Sequence, residues 1–321
     1  MTAVGGVRGA HVAGGAGGVR GTPGGCPGEQ SPWGASPPVN RVDLHAHTLA
    51  SDGSDRPEEL VAAAAAAGVG TLAVTDHDTV AAVAEARAAG ERLGVEVLGG
   101  CEVTATVGDR VVHVLLYGEG LLEPDLADAV GVARRGRDER NLAIGERLEQ
   151  LCGVGHADAV ELAGGSVLSR AHFARALVAR GAVADVAEAF DRYLSAGRPA
   201  YVPAPSVSVT DAVALAAKAG GVAVLAHPGR LAPAERDRVV GEALEAGVDG
   251  VEVWHSQHDE ELRRSLAALA ERRGLLATGG SDYHGRHKPD VRVGSGTGGN
   301  VDVPGEHLTA LRHRLAVGRP G

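Results

Sequence analysis

From Arg41 onward, short apolar runs alternate with alanine-rich stretches whose apolar positions recur at helical spacing. Thr71-Leu72-Ala73-Val74, Val95-Glu96-Val97-Leu98, Val111 to Leu116, Val222 to Ala226, Gly250 to Trp254 and Leu275 to Thr278 have the length and valine content of strands. Between them Pro57 to Ala67, Thr79 to Leu93, Thr210 to Ala219, Glu235 to Ala246 and Glu260 to Arg273 read as helices. Pro57 followed by Glu58 and Glu59 suits a first helical turn, and Gly68 suits the end of that helix. Strand and helix in alternation predict parallel βαβ units, closing into a barrel of about seven or eight strands.

The alternation breaks in the middle of the chain. Asp125 to Gln150, Ala157 to Leu162, Arg170 to Arg180 and Asp185 to Leu194 read as successive helices with no strand between them. This predicts a barrel formed by residues 40–117 and 201–321, with a helical insertion over 118–200 placed as a cap. Residues 1–39 are Gly-rich, carry Pro37-Pro38 and have almost no apolar period. Such a segment cannot offset its ordering entropy by burial, so a disordered tail is expected there.

Polar side chains with metal-binding chemistry recur where the strand-like runs give way to loops. His45 and His47 stand two apart, so on a strand they project to one side, where two imidazoles can grip one divalent ion. A lone His-x-His is equally a pair of ordinary surface histidines, so the pair needs company. Asp52, Thr75-Asp76-His77-Asp78, Glu102, His113, His227 and Gly280-Ser281-Asp282-Tyr283-His284-Gly285 supply it. In a parallel barrel the carboxyl ends of the strands converge on one mouth, with His113 the one candidate inside its strand.

Composition narrows the class. The chain has 321 residues, 44% of them hydrophobic, enough for a barrel-sized core. Aromatic residues make up 2%, which leaves few stacking platforms for single-stranded nucleic acid. A net charge of −10 argues against a general polyanion-binding surface and hence against duplex DNA, although an arginine pocket could still take a small phosphate ester. Cys26, Cys101 and Cys152 are widely spaced, suggesting neither a disulfide framework nor a thiolate zinc site. No run of 18 apolar residues occurs and no secretory signal opens the chain, so a cytoplasmic protein with no membrane contact and no obligate protein partner is expected.

Taken together, Asp43-Leu44-His45-Ala46-His47-Thr48, Ser51-Asp52-Gly53, Thr75-Asp76-His77-Asp78-Thr79, Glu102, His113, Ala226-His227-Pro228 and the 280–285 segment resemble the polymerase and histidinol phosphatase (PHP) family over about residues 41–290. Within it the chain is most similar to the branch of nucleoside 3′,5′-bisphosphate phosphatases and 5′-to-3′ oligoribonucleases, which carry a helical insertion at this place. The resemblance implies an α/β fold, a distorted TIM-like (β/α)7 barrel. It implies a metal-dependent phosphoesterase acting on small nucleotides or short RNA 5′ ends through a metal-activated hydroxide. It also implies two to three divalent ions: one on His45, His47, Glu102 and Asp282, a second on Glu102, His113 and His227 with Glu102 bridging, and a third on Asp52, His77 and His284. Imidazole with carboxylate suits Mn²⁺, Fe²⁺ or Zn²⁺ better than Ca²⁺, and the family points to manganese or iron. Asp282, His284 and Glu102 would carry the chemistry, with Asp282 or a neighbouring histidine managing a proton and a metal or a protonated imidazole such as His284 stabilising the leaving alkoxide.

For the substrate, Arg134-Arg135-Gly136-Arg137 with Asn141, and Ser169-Arg170-Ala171-His172, resemble the branch's phosphate-contacting segments. Arg134, Arg137, Asn141, Arg170 and His172 are the candidates, a solvated helix face paired to Asp138 and Glu139 being the alternative. Ser169 and Ala171 stand where relatives carry Gly and Pro. His255 and His258 lie in a segment where relatives more often carry tyrosine, and they read as loop polar groups. A histidinol-phosphate or other sugar-phosphate monoesterase, and a non-catalytic interaction module, remain as other readings of the same barrel.

Overall fold

A computed structural model describes residues 40–317 apart from 109, 165–166 and 204–206. The tail expected to be disordered, residues 1–39, lies outside the described residues.

The chain opens with β1 (Arg41–Ala46), α1 (Pro57–Ala66), β2 (Val69–Val74) and α2 (Val83–Leu93). Then come β3 (Glu96–Val107) and β4 (Arg110–Tyr117). Helices α3 (Pro124–Val130), α4 (Val132–Cys152), α5 (His156–Ala163), α6 (Arg170–Ala179) and α7 (Val186–Ala189) follow, α7 running into a π turn at Phe190–Leu194. The second half holds β5 (Val207–Ser208), α8 (Val209–Lys218), β6 (Val222–Leu225), α9 (Pro233–Glu245), β7 (Gly250–His255), α10 (Glu260–Arg273), β8 (Leu276–Gly280) and α11 (Gly305–Val317).

Seven strands pair in the order β1-β2-β3-β4-β6-β7-β8, with the two-residue β5 attached to β3. β1 meets the segment after β8 through a parallel bridge, Ala46 to Tyr283, and through Asp282 N–H donating to the His45 carbonyl at 2.8 Å. This brings the two edges of the sheet together as a distorted TIM-like barrel. The approach is close enough to need Gly280, where a Cβ would stand 2.3 Å from the His45 nitrogen.

One strand departs from the parallel barrel that the alternation predicts: β4 runs antiparallel to both β3 and β6. β3 is also far longer than the apolar run Val95 to Leu98, so Glu102 lies inside it and not after it. Each difference has its own cause. Gly99 and Gly100 interrupt the apolar pattern without ending the strand, and only two residues of chain then separate β3 from β4, too few for a parallel crossover. The long helix expected over Asp125 to Gln150 is two helices, parted at Gly131.

Small aliphatic residues fill the core. One cluster draws Val42, Leu44, Leu115, Tyr117, Val222 and Val224 together with Leu308 and Leu311 of α11. The helical insertion has its own, around Ile144, Leu148, Phe173, Leu177 and Leu194. In α11, Arg312 pairs with Glu96 at the surface and Arg314 pairs with the buried Asp249. No helix among the described residues is long and apolar enough to cross a membrane.

Candidate metal centre

The barrel mouth gathers the predicted donors from widely separated segments. His45 Nδ1 faces Glu252 Oε1 at 2.9 Å, so the proton sits on Nδ1 and the Nε2 lone pair is left pointing into the cluster. His47 follows β1. Asp52 lies on the loop behind it, which Asp76 holds by accepting from Thr48 N–H (2.7 Å), Thr48 Oγ1 (2.7 Å) and Ser51 Oγ (2.6 Å). His77 ends the β2 segment and bridges to Glu102.

Glu102 is the hub. Its Oε2 lies 3.3 Å from His45 Nε2, 3.1 Å from His47 Nε2 and 3.3 Å from His77 Nε2. Its Oε1 lies 2.9 Å from His113 Nδ1 and 2.8 Å from His227 Nε2. Asp282 Oδ1 stands 3.6 and 3.4 Å from the Nε2 atoms of His45 and His47, and Asp52 Oδ2 stands 3.3 Å from His284 Nε2.

These donors fit divalent ions. Two ligands each about 2.1 Å from one ion, at right-angle to tetrahedral geometry, stand about 3.0–3.4 Å apart, and the pairs around Glu102 and Asp282 span that range, from 2.8 to 3.6 Å. His45 Nε2 and His47 Nε2 are buried and make no hydrogen bond, a cost that lone pairs left for a cation explain. Four groups of donor atoms lie within 4.8 Å of one another and could each hold an ion: His47 with Asp52, His77 and His284; His45 with Glu102 and His227; His45 with His47 and Asp282; and His77 with Glu102 and His113. The nine residues singled out from the sequence are thus one cluster, sharing residues more extensively than the three separate sets implied.

Backbone strain marks the same place. The non-glycine residues with positive φ among those described are Asp78, His227 and Asp282, at 52°, 26° and 57°. Such conformations cost on the order of 1–3 kcal/mol each and persist where the surroundings over-determine them. Here Glu252 Oε2 accepts from His227 N–H at 2.7 Å, and Asp43 accepts from Ser281 N–H, Ser281 Oγ and Gly294 N–H at 2.9, 2.6 and 2.7 Å, fixing the turn that carries Asp282.

Protonation follows from crowding. Burial would push the Glu102 carboxyl up, but His77, His113 and His45 outweigh it and hold it well below the usual carboxylate range. Burial pulls His47 down, while Asp282, Glu102 and Asp52 together raise it to about 9. His227 is carried by burial to about 4 despite Glu102. Without cations the anionic oxygens therefore recruit protons onto part of the imidazole set.

Beside the donors lies a cavity of about 490 Å³, lined by Asp52, His77, His113 and His284, by apolar Val111, Ala133 and Leu168, and by Arg137, Arg140, Arg230 and Lys288. Of the five substrate candidates, Arg137 lines it, and its Nη1 also meets Asp78 Oδ2 at 2.5 Å. Arg134 donates to the Ala50 carbonyl at 2.8 Å and borders a smaller neighbouring recess. Asn141, Arg170 and His172 do not line the cavity. Asn141 is buried, donating to the Leu168 carbonyl and accepting from Arg140. Arg170 donates to the Leu194 carbonyl and lies over Phe190 and Tyr201, while His172 caps its own helix at Ser169.

Several residues went unrecognised in the sequence. Glu252, fully buried in β7, orients His45 and His227; a carboxylate inside the run Gly250 to Trp254 was the available signal. His255 and His258, read as loop polar groups, are both buried: β7 runs one residue further than its apolar pattern and takes in His255, while His258 does lie in the loop that follows, with Gly229 packed directly on it. His258 donates from Nδ1 to the Val253 carbonyl (2.8 Å) and accepts at Nε2 from Gly229 N–H (3.0 Å), so it must be neutral when folded. Burial carries it down to about 4.

That assignment predicts a pH effect. A depressed histidine contributes stability that is complete above its unfolded pKa near 6.5 and is lost as pH falls toward 4. In chelator-treated protein, urea melts between pH 7 and 4.5 are expected to be steeper in pH for wild type than for His258→Gln. The difference reaches at most about 1.4 kcal/mol per pH unit. Equal slopes would refute the assignment.

A PHP domain model matches residues 43–200. A 3′,5′-nucleoside bisphosphate phosphatase of Chromobacterium violaceum is 39% identical over 247 residues, 76% of this chain and 87% of its own. The 5′-3′ exoribonuclease Rnm of Escherichia coli is 38% identical over 247 residues, 75% of this chain and 84% of its own. Among solved structures, an amidohydrolase from Chromobacterium violaceum with bound sulfate and no metal superposes with a TM-score of 0.65 at 36% identity, covering 85% of this chain and 96% of that one. Fold and relatives define a metal-dependent hydrolase of phosphoric esters. The chain belongs to the PHP domain family.

Proposed function

We propose that the chain hydrolyses phosphate monoesters of small nucleotides, nucleoside 3′,5′-bisphosphates foremost, in the cytoplasm. The nine-residue cluster would hold two to three divalent ions, manganese or iron, with zinc compatible with the same donors. One observation carries the reading: a single cavity has the clustered imidazoles and carboxylates on one wall and Arg137, Arg140, Arg230 and Lys288 around it, room for a nucleotide with one phosphate at the cluster and another against the cations. The E. coli relative favours short RNA 5′ ends as further substrates of the same site.

A phosphate monoester is a dianion that repels an anionic nucleophile. When bound, divalent ions lower the pKa of water and neutralise phosphoryl charge. The chain's own residues do the rest. Glu102, His45, His47, His113 and His227 would hold ions through carboxylate oxygens and imidazole nitrogens, and Asp52, His77 and His284 would supply donors for a further one. Asp282 would take the proton that the attacking water gives up, and His284, whose Nδ1 lies 3.5 Å from Asp282, would return one to the leaving oxygen when its Nε2 holds no ion. Residues 118–200 act as the cap. Arg137 contacts the second phosphate directly, Asn141 acts through Arg140, and Arg134, Arg170 and His172 shape the segments that carry them.

The test is phosphate release from purified protein with Mn²⁺. A charge-assisted contact to a second phosphate contributes about 1.5–3 kcal/mol, so adenosine 3′,5′-bisphosphate should exceed ribose 5-phosphate or histidinol phosphate in kcat/KM by about 10- to 100-fold. Arg137→Met should erase most of that difference through KM. Equal turnover across the panel would favour a general sugar-phosphate monoesterase.

A further inference from the structure

Asp282 uses its two oxygens differently. Oδ1 looks toward His45 and His47, whereas Oδ2 is 3.2 Å from His255 Nε2 and 2.6 Å from Lys288 Nζ. His255 is fully buried at the end of β7, its ring centroid 5.3 Å from that of His227 and 6.1 Å from that of His45. Its Nδ1 accepts from Gln257 N–H at 3.0 Å, which places the ring proton on Nε2 and aims it at Asp282. The same tautomer removes the Nε2 lone pair, so His255 stands among the imidazoles without being able to ligate.

We infer that His255 is a positioning residue: by donating Nε2–H to Asp282 Oδ2 it fixes the carboxylate so that Oδ1 alone is presented to an ion, with Lys288 as the second, solvent-side donor to the same oxygen. Asp282 needs such a hold. Its backbone is in the left-handed region, on a turn between strand and loop, and the backbone alone does not choose which carboxylate oxygen faces an ion. The inference rests on the reading of Asp282 as a ligand, and the experiment separates the two.

Mn²⁺ binding is measured by titration calorimetry and by bound metal after desalting, for wild type, Asp282→Ala, His255→Phe and His255→Gln, with thermal melts of the chelated proteins alongside. Asp282→Ala should lose one class of ion; if it binds manganese as wild type does, the ligand reading itself fails. Outer donors to metal ligands typically govern 10- to 100-fold in affinity, so His255→Phe should weaken that same class by this factor. His255→Gln, whose amide reaches the Nε2 position, should stay within about threefold of wild type. A merely structural role would lower the melting temperature of the chelated protein without singling out one ion class, and Gln would not rescue it. Unchanged affinity in His255→Phe, or equal weakness of the Phe and Gln variants, overturns the inference while leaving Asp282 as a ligand. Should the Phe variant not fold, His255→Asn, whose shorter amide stops short of Asp282, replaces it with the same expectations.

Discussion

Glu102→Gln is expected to lower phosphate release by about 10³-fold or more, because the charge stabilisation it helps supply is worth several kcal/mol and each 1.36 kcal/mol is a factor of ten. No other carboxylate in the cluster touches so many imidazoles: five rings lie within 3.3 Å of its two oxygens. Glutamine keeps the volume and one acceptor but presents an amide to rings that offer lone pairs, so the ion positions it joins lose both charge and a shared donor. Bound manganese, measured on the desalted variant, should fall together with kcat. A variant that keeps its full metal content and turnover would show that Glu102 is not the junction of the centre.

Glu252→Ala is expected to destabilise the folded chain by about 3–5 kcal/mol, the range for removing one partner from a buried charged pair. Glu252 is fully buried, and its oxygens take His45 Nδ1–H at 2.9 Å and His227 N–H at 2.7 Å. Burial would push its carboxyl up, yet His45 and His255 hold it at about 2. Alanine leaves two donors without partners in a dry site and frees the His45 ring to turn. Urea melts of the chelated protein test the stability term, and an unchanged midpoint would mean that the carboxylate does not tie β7 to β1 and β6. Glu252→Gln, which keeps an acceptor for His227, should fall between the two.

Much of the centre was legible in the sequence because chelating side chains are sparse polar marks at the ends of apolar runs. His45, His47, His77, His227, Asp282 and His284 all stand where a strand-like pattern stops, and a barrel turns such stops into neighbours. What stayed hidden had physical reasons. The run Val111 to Leu116 encodes a strand but not its direction, so the antiparallel β4 follows only from the short connection before it. Glu252 drew no reading, because a pattern cannot distinguish a carboxylate facing water from one facing buried donors. Asn141 and His172 carried the chemistry of substrate contacts, but helix packing directs Asn141 to Leu168 and His172 to its own N-terminus. Arg140 and Arg230, which do face the cavity, were indistinguishable from surface arginines in the sequence.

The contact between Asp78 and Arg137 constrains how α4 can move. Asp78 is fully buried at the barrel rim and also accepts from Thr104 N–H at 2.7 Å, whereas Arg137 belongs to α4. Swinging α4 outward would strand that carboxylate without its cation in a water-poor setting, at a penalty of several kcal/mol. The Asp78–Arg137 pair thus anchors α4 to the barrel rim.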